Sequence, residues 1–453
     1  MASLSSGREM AIVLLPRGDT ISRHRLRTRM RRKQLQKGIS LMLRHWHKAA
    51  WALLATPLCA FGFEAVDVLT PASNGVYPAY PSDLGAAPYA IWAQAGLMYD
   101  SNILRRTTGD NNEWISRLGL GGRWDQRVIG RQALHLEGRV DGYIYDKFSA
   151  LDNVSYAGLG EWRYAVGNDL AGAFTIGRRR YQANLAETQS AAYDPITETH
   201  FGANGRYALG PTIGIRGAAD YLEYSRPTHA FANLKTITGQ AAVEYRSALG
   251  NTVGVEVQEA HGDAPVGQAI DPLGLFVNND FHQRDVGVVG GFNVLPTLRV
   301  GGRVGRTERT YSSLPGRNFN GPTWAVAAQW YPTTKTLLAF DTAKTISSVI
   351  DIGASHVVAK GWGFGPGWAP TAKLNFQARF FRQHQDFEGD PSAQLGVAPQ
   401  RREIVRGYRL GAYWDYDRRI SYQFSVEHGE RESNTLGRNY RFNAGIAQVR
   451  WAF

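Results

Sequence analysis

Residues able to act as nucleophile or general base are scattered through this 453-residue chain. Ser355 and His356 are the nearest approach to a hydrolytic pair, of the kind a lipid-modifying enzyme needs at a membrane rim. Adjacent residues on a strand point to opposite faces, so the two are not expected to act together. HExxH, GxSxG and P-loop patterns are absent. Gly361-x-Gly363-x-Gly365 lies in a strand–turn context rather than before a helix, which removes a dinucleotide reading. No catalytic residue, metal site or cofactor is assigned, and the chain reads as a non-enzyme.

What chemistry remains is electrostatic, carried by charges spaced at intervals of two. Arg117, Arg123 and Asp125 share one parity, while Trp114, Leu118, Leu120 and Trp124 share the other. His135, Glu137, Arg139 and Asp141 alternate with Leu134, Leu136, Val140 and Ile144. Near the C-terminus Arg409 and Asp415 alternate with Tyr408, Leu410, Ala412, Trp414 and Tyr416. Gln423 and Glu427 do so with Ile420, Tyr422, Phe424 and Val426. In a strand these parities are the two faces of a sheet.

Followed along the chain, the polar parity collects Arg117, Arg123, Arg139, Arg163, Arg206, Arg216, Arg246, Arg299, Arg303, Arg379 and Arg409. With them come Asp125, Glu137, Asp141, Glu161, Asp220, Glu244, Asp415 and Glu427. Two readings follow. One is a structural ladder of opposite charges across neighbouring strands. The other is a polar conduit whose slight basic excess suits hydroxyl-rich or weakly anionic glycans, with Tyr143, Tyr145 and Tyr413 offering faces to sugars.

The elements that must position these charges are strands of about 10–14 residues separated by turns. Short connections carry turn chemistry: Gly167-Asn-Asp169, Gly210-Pro211, Gly250-Asn251, Leu295-Pro296, Pro332-Thr-Thr334, Pro366 to Pro370 and Asp417-Arg418. Between them lie longer polar connections, including 101–112, 182–196, 225–234, 261–280, 311–322, 386–400 and 429–439. The alternation predicts 18 strands, eight short turns and nine long loops, and is weakest around 252–260 and 335–346. Both ends of the barrel segment then lie on the side of the short turns. This is the pattern of an all-β, transmembrane antiparallel up-and-down barrel of an outer membrane. A propeller would repeat every 40–50 residues or so, and no such repeat occurs. Eighteen strands make a cylinder about 35 Å across, too wide for side chains alone to fill. Trp92, Tyr99, Trp114, Trp124, Trp162, Tyr164, Trp324, Trp330, Trp414, Tyr416 and Trp451 cluster near strand ends, as interface girdles do. The terminal segment alternates to Phe453, which reads as the assembly signal recognised by the barrel-assembly machinery.

The net charge of +12 invites a nucleic-acid reading, but its location opposes one. Residues 1–48 hold twelve Lys and Arg against Glu9 and Asp19, leaving only +2 for residues 49–453. No basic footprint for nucleic acid remains. The apolar run 49–63 behind Arg44 and Lys48 is too short to span a bilayer as a helix and resembles a secretory leader, with Ala60-Phe61-Gly62 at its exit. We therefore expect residues 1–41 to be a non-structural extension and 42–62 a signal peptide. Residues 63–88, with Pro71, Pro78, Pro81 and Pro88, form a periplasmic arm or plug, and 89–453 form the barrel. Cys59 follows Leu58 rather than a small residue, against lipidation. A cut after it leaves no Cys for disulfide, thiol or metal chemistry.

Several stretches also carry a family resemblance. They are Tyr99-Asp-Ser-Asn-Ile-Leu104, Phe319-Asn-Gly-Pro-Thr-Trp324, Gly365-Pro-Gly-Trp-Ala-Pro-Thr-Ala-Lys-Leu374, Phe387-Glu-Gly-Asp-Pro391, Arg401-Arg-Glu403 and Glu430-Arg-Glu-Ser-Asn434. In these the chain resembles the EpsL-like outer-membrane proteins associated with exopolysaccharide biosynthesis and exosortase loci of Gram-negative bacteria. The resemblance implies an outer-membrane component of a polysaccharide export system and names no catalytic residues. Its expected partners are membrane lipid, the barrel-assembly machinery, polysaccharide and periplasmic export components. A conduit for glycan, a non-conducting scaffold or glycan-binding barrel, and a general diffusion porin are the functions to be separated.

Overall fold

The computed structural model describes residues 88–266, 268–269, 276–313, 315–348, 354–389 and 399–453. The extension, leader and proline-rich arm expected over residues 1–87 lie outside the described residues.

Eighteen antiparallel strands form one closed sheet. In chain order they are β1 (Tyr89–Asp100), β2 (Glu113–Arg127), β3 (Ala133–Tyr145), β4 (Asn153–Val166), β5 (Leu170–Gln182) and β6 (Pro195–Ala208). Then come β7 (Ile213–Ser225), β8 (Leu234–Arg246), β9 (Thr252–Asp263), β10 (Phe281–Leu295), β11 (Leu298–Tyr311) and β12 (Phe319–Thr333). The last six are β13 (Thr336–Ser348), β14 (His356–Trp368), β15 (Leu374–Glu388), β16 (Arg402–Asp415), β17 (Ile420–Ser433) and β18 (Tyr440–Ala452). Each strand pairs with its neighbours in sequence, and β18 closes on β1 from Trp92↔Ala452 to Asp100↔Ala444. The Phe453 N–H donates to the Ile91 carbonyl at 2.8 Å, so the last residue helps zip this seam. Eight connections of two to five residues alternate with nine of six to seventeen. The strands at 252–260 and 335–346, where alternation is weakest, are both present as β9 and β13.

Several loop boundaries depart from the expectation: residues 261–263, 386–388 and 429–433, assigned to loops, extend β9, β15 and β17. Residues 319–322, assigned to a loop, open β12. The Pro366–Pro370 turn instead begins after Trp368, because β14 continues through Pro366. Proline lacks an N–H, and the ladder to β15 skips Gly365 and Pro366, whereas the ladder to β13 keeps Leu338↔Pro366.

The two faces separate cleanly. Leu118, Leu120, Val140, Ile144, Ile176 and Ile237 point outward and are exposed, an arrangement that water would penalise and lipid favours. Trp114, Trp124, Trp162, Trp330, Trp414 and Trp451 lie on the same outward face towards strand ends. Trp92 does not belong to this girdle. It shares the inward parity with Gln94, lies buried over Gly121, and carries the Arg450 guanidinium 4.0 Å from its ring. A Cβ on Gly121 would lie 2.5 Å from the indole, so only glycine leaves room for it. Closure of the sheet satisfies the backbone groups that lipid cannot.

Candidate functional site: the charged lumen

The inward face carries the predicted charges, and most are paired across strands. On β1–β3 and β18, Asp141 is buried and receives Arg117 Nη2 at 3.0 Å and the Gln94 amide. Arg139 stands 4.0 Å away. Arg117 also donates to Gln448 Oε1 at 3.1 Å. Gly119 makes this approach possible, since a Cβ there would overlap the Asp141 carboxylate.

A second chain of charges crosses β6 to β11. Glu244 lies 3.7 Å from Arg206 and 3.5 Å from Arg216. Arg216 continues to Glu256 at 2.6 Å, and Arg303 joins Glu256 at 3.2 Å and Asp285 at 3.6 Å. Buried Thr307 donates to Asp285 and meets Thr323 at 2.8 Å. A third set pairs Arg379 with Asp341 at 2.9 Å and Arg409 with Glu427 at 2.8 Å. Asp220 meets His200 at 3.1 Å, and Arg163 meets Glu161 on its own strand. Arg246 faces the lumen with no ion-pair partner among the described residues, adding positive charge beside Arg206. Asp415 lies opposite Ser421 on the inward parity.

Exposure varies along the lumen. Asp125 and Arg163, near the turns, are 47% and 61% exposed, while Asp141 at mid-height is 3% exposed. The turn end of β2 to β4 is therefore wet, whereas Trp92, Glu244 and Arg450 towards the turn end elsewhere on the wall are buried, as Asp141 is at mid-height. On β2–β4 the acids Asp125, Glu137 and Glu161 stand among Arg123, Arg139 and Arg163, with His135 2.7 Å from Asp125, and on β6–β8 Glu244 stands among Arg206, Arg216 and Arg246.

At the loop end the wall turns apolar. Met98, Ile115, Tyr143, Tyr145, Phe442 and Ala444 face inward and pack with Ile103, Leu104, Leu151 and Leu185 from three loops. Tyr143 and Tyr145 are thus buried in this cluster and present no open ring face, contrary to the expectation of a sugar track. Of the three tyrosines named, Tyr413 remains half-buried. The short helix α1 (Leu185–Thr188) starts where the Asn184 side chain accepts the Ala186 N–H. It carries Glu187 to 3.2 Å from Arg431 and 3.9 Å from Arg401, while Arg438 donates to the Glu187 carbonyl at 2.8 Å. Burial pushes the Glu187 carboxyl up, but Arg431, Arg401 and Arg438 outweigh it and hold it below the usual range. Asp194 behaves alike. Burial opposes ionisation, yet Arg226, with Nε 3.0 Å from both carboxylate oxygens, and Thr228 hold it low. Arg105 lies 2.7 Å from Asp100 and stacks 3.7 Å over Phe442.

Ser355 and His356 do come together, because Ser355 precedes β14 and is not bound by its alternation. Ser355 Oγ lies 3.0 Å from His356 Nδ1, and His356 Nε2 lies 3.3 Å from Glu388. The imidazole is stacked on Tyr311 and edged by Phe319, and Ser355 is also buried. A hydrolytic pair needs substrate at Oγ, and this burial leaves it none.

The alternation missed Glu256 and Asp341, which lie on the two strands of weakest pattern. Glu256 was legible from its parity with Gln258 against Val253, Val255 and Val257. The loop-borne Glu187 had no periodic signal to reveal it.

No family model matches the chain, and no curated protein matches it. Solved structures of similar fold include the outer-membrane protein OpdK of Pseudomonas aeruginosa with vanillate, at 9% identity and a TM-score of 0.46, covering 81% of this chain and 99% of that one. OccK2 (OpdF) of the same organism gives 12% and 0.45, covering 81% and 98%. The FrpB iron transporter of Neisseria meningitidis gives 11% and 0.44, covering 77% and 63%. At these values the likeness concerns barrel architecture alone, and the fold assignment rests on the strand register itself.

Proposed function

We propose that this chain is an outer-membrane barrel that conducts a secreted polysaccharide. The observation that carries the reading is the wet, charge-lined wall at the turn end of β2 to β4, in a lumen too wide for side chains to fill. Translocation of a polymer needs many weak contacts rather than one tight site, and exposed, pairwise-neutralised charges supply them. The outward apolar face supports placement in a membrane, and the long loops support an outer-membrane orientation with the turns in the periplasm. The polysaccharide link rests on the resemblance to EpsL-like proteins. No group with catalytic access is used.

Deletion of the gene, followed by measurement of where the polymer accumulates, tests the reading. Periplasmic accumulation is expected, and normal surface polymer would overturn it. A non-conducting scaffold is the second reading, favoured by the apolar loop cluster in the mouth. Single-channel recording separates them, since a scaffold gives no conductance.

A further inference from the structure

The outward face near the loops is charged, and several of its cations have acidic partners, although Arg178, Arg180 and Arg306 have none among the described residues. Arg284 meets Glu259 at 2.6 Å, Lys235 approaches Glu223 at 3.9 Å, and Arg402 lies 3.6 Å from Asp386. Arg406 and Arg441 share Glu430 at 3.0 and 2.7 Å. On the wall of β13 to β15 cations without acidic partners are grouped. Lys344 and Lys360 are direct register partners, Lys360 is opposite His384, and Arg382 lies one pair nearer the membrane beside Trp362. Among the described residues none of these four has an ion-pair partner, and Lys360, Arg382 and His384 are exposed. Like charges directly opposite in a sheet repel, so an unfilled row of this kind is destabilising by itself.

Its position is informative. The next outward row towards mid-membrane is aromatic: Phe364↔Phe380↔Tyr408, with Phe364 and Phe380 stacked at 6.5 Å and Tyr408 stacked on His428 at 5.5 Å. Such a row marks the boundary between hydrocarbon and headgroups. The cations therefore stand at headgroup depth. The β12–β13 ladder also ends there, at Trp324↔Lys344, although β12 runs on to Phe319 and β13 to Ser348. Pro322, which lacks an N–H, sits on that free edge. The Trp324 ring lies 5.8 Å from the Lys360 ammonium and gives the site an apolar floor.

We propose that Lys344, Lys360 and Arg382 bind the phosphate of a membrane-lipid headgroup on the outer wall of the barrel. The ammonium pair supplies point charges, and the guanidinium supplies a planar fork for phosphate oxygens. Trp324 and Trp362 pack against the first carbons of the lipid. Arg406 is already neutralised by Glu430 and Glu432 and takes no part. The site rests on the membrane reading of the barrel and is independent of whether the lumen conducts.

Native mass spectrometry of the whole protein in detergent tests it. The probes are a phosphorylated glycolipid, the same lipid dephosphorylated, and inorganic phosphate alone. The phosphorylated lipid is expected to bind. K344Q/K360Q/R382Q is expected to weaken it at least about tenfold, and K344R/K360R/R382K to retain it. Substituting the paired Lys235 and Arg284 with Gln is expected to change nothing, and heat-modifiable gel mobility checks that every variant is folded. Equal binding by the triple Gln variant, or equal binding of the dephosphorylated lipid, overturns the proposal. Inorganic phosphate binding as tightly as the lipid overturns the lipid as the source. Failure of the wild-type protein to insert into liposomes would instead sink the membrane reading, and that is scored separately.

Discussion

The Arg431 guanidinium and the Glu403 carboxylate meet at 3.4 Å on neighbouring strands, and neither side chain is more than 1% exposed. Glu187 reaches the same guanidinium from α1 at 3.2 Å, and the Tyr440 ring lies 5.0 Å from it. One buried cation thus holds a wall strand, a second wall strand and a loop together at the mouth.

Replacing Arg431 with Met removes the cation from two acids at once. A broken buried pair typically costs 3–5 kcal/mol. Because Arg401 still reaches Glu403 at 2.8 Å, a loss of about 3 kcal/mol is expected. Denaturant unfolding gives the stability. Cleavage at Glu187 by a glutamate-specific protease gives the state of the loop. An R431M protein as stable and as resistant as wild type would show that the cluster does not seat the loop.

The same cluster predicts an acid response. The Glu187 carboxyl is depressed below its ordinary value of 4.5, so the stabilisation it confers is fully present above that value and is lost as pH falls through the folded pKa. Asp194, depressed beside Arg226, acts in the same direction, its contribution being fully present above its own ordinary value of 3.8 and lost further down. The 183–194 loop is expected to stay seated at neutral pH and to loosen below pH 4.5. Hydrogen exchange across that loop measures this. E187Q should show the loosened loop at neutral pH, and an exchange rate flat with pH in the wild type contradicts the assignment.

Much of this architecture was legible in the sequence because a barrel wall has only two faces and a period of two. Arg117, Arg139 and Asp141 could be placed inward from parity alone, and the strands of 12–15 residues follow from it. Trp92 was misplaced because an aromatic near a strand end fits the girdle or the lumen equally, and only the register against Gly121 decides. Tyr143 and Tyr145 were correctly inward, but what covers them comes from loops, whose packing has no periodicity. Glu187 and Arg431 meet across 244 positions, and nothing local announces such a contact.

Close approach at glycine gives a third prediction. The Phe442 ring covers Gly429 so closely that a Cβ would lie 2.2 Å from it, whereas a Cβ on Gly158 meets nothing within 4 Å. Gly429→Val should displace Phe442 from beneath Arg105 and destabilise by about 1–3 kcal/mol. Gly158→Val, on the outward face of β4, should stay within about 0.5 kcal/mol of wild type. Urea titration of both proteins in micelles compares them, and equal stability would remove the steric argument.

The lumen charges separate structural from conducting roles. Arg117 is buried against Asp141, so Arg117→Glu sets two carboxylates side by side and should impair assembly rather than transport. Arg139 and Arg163 are more exposed, at 32% and 61%, and a single Arg139→Ala should change little. Reversing Arg123, Arg139 and Arg163 together to Glu removes the cations that balance Asp125, Glu137 and Glu161 on that wall. Such a barrel should still assemble, because Asp141 keeps Arg117 at 3.0 Å while Arg139 stands off at 4.0 Å and is 32% exposed, but its conductance should shift towards cation selectivity. If the lumen carries glycan, polymer export should fall in the same variant. A triple reversal that assembles, changes selectivity and exports normally would leave those charges a structural ladder and deprive the conduit of its residue-level support.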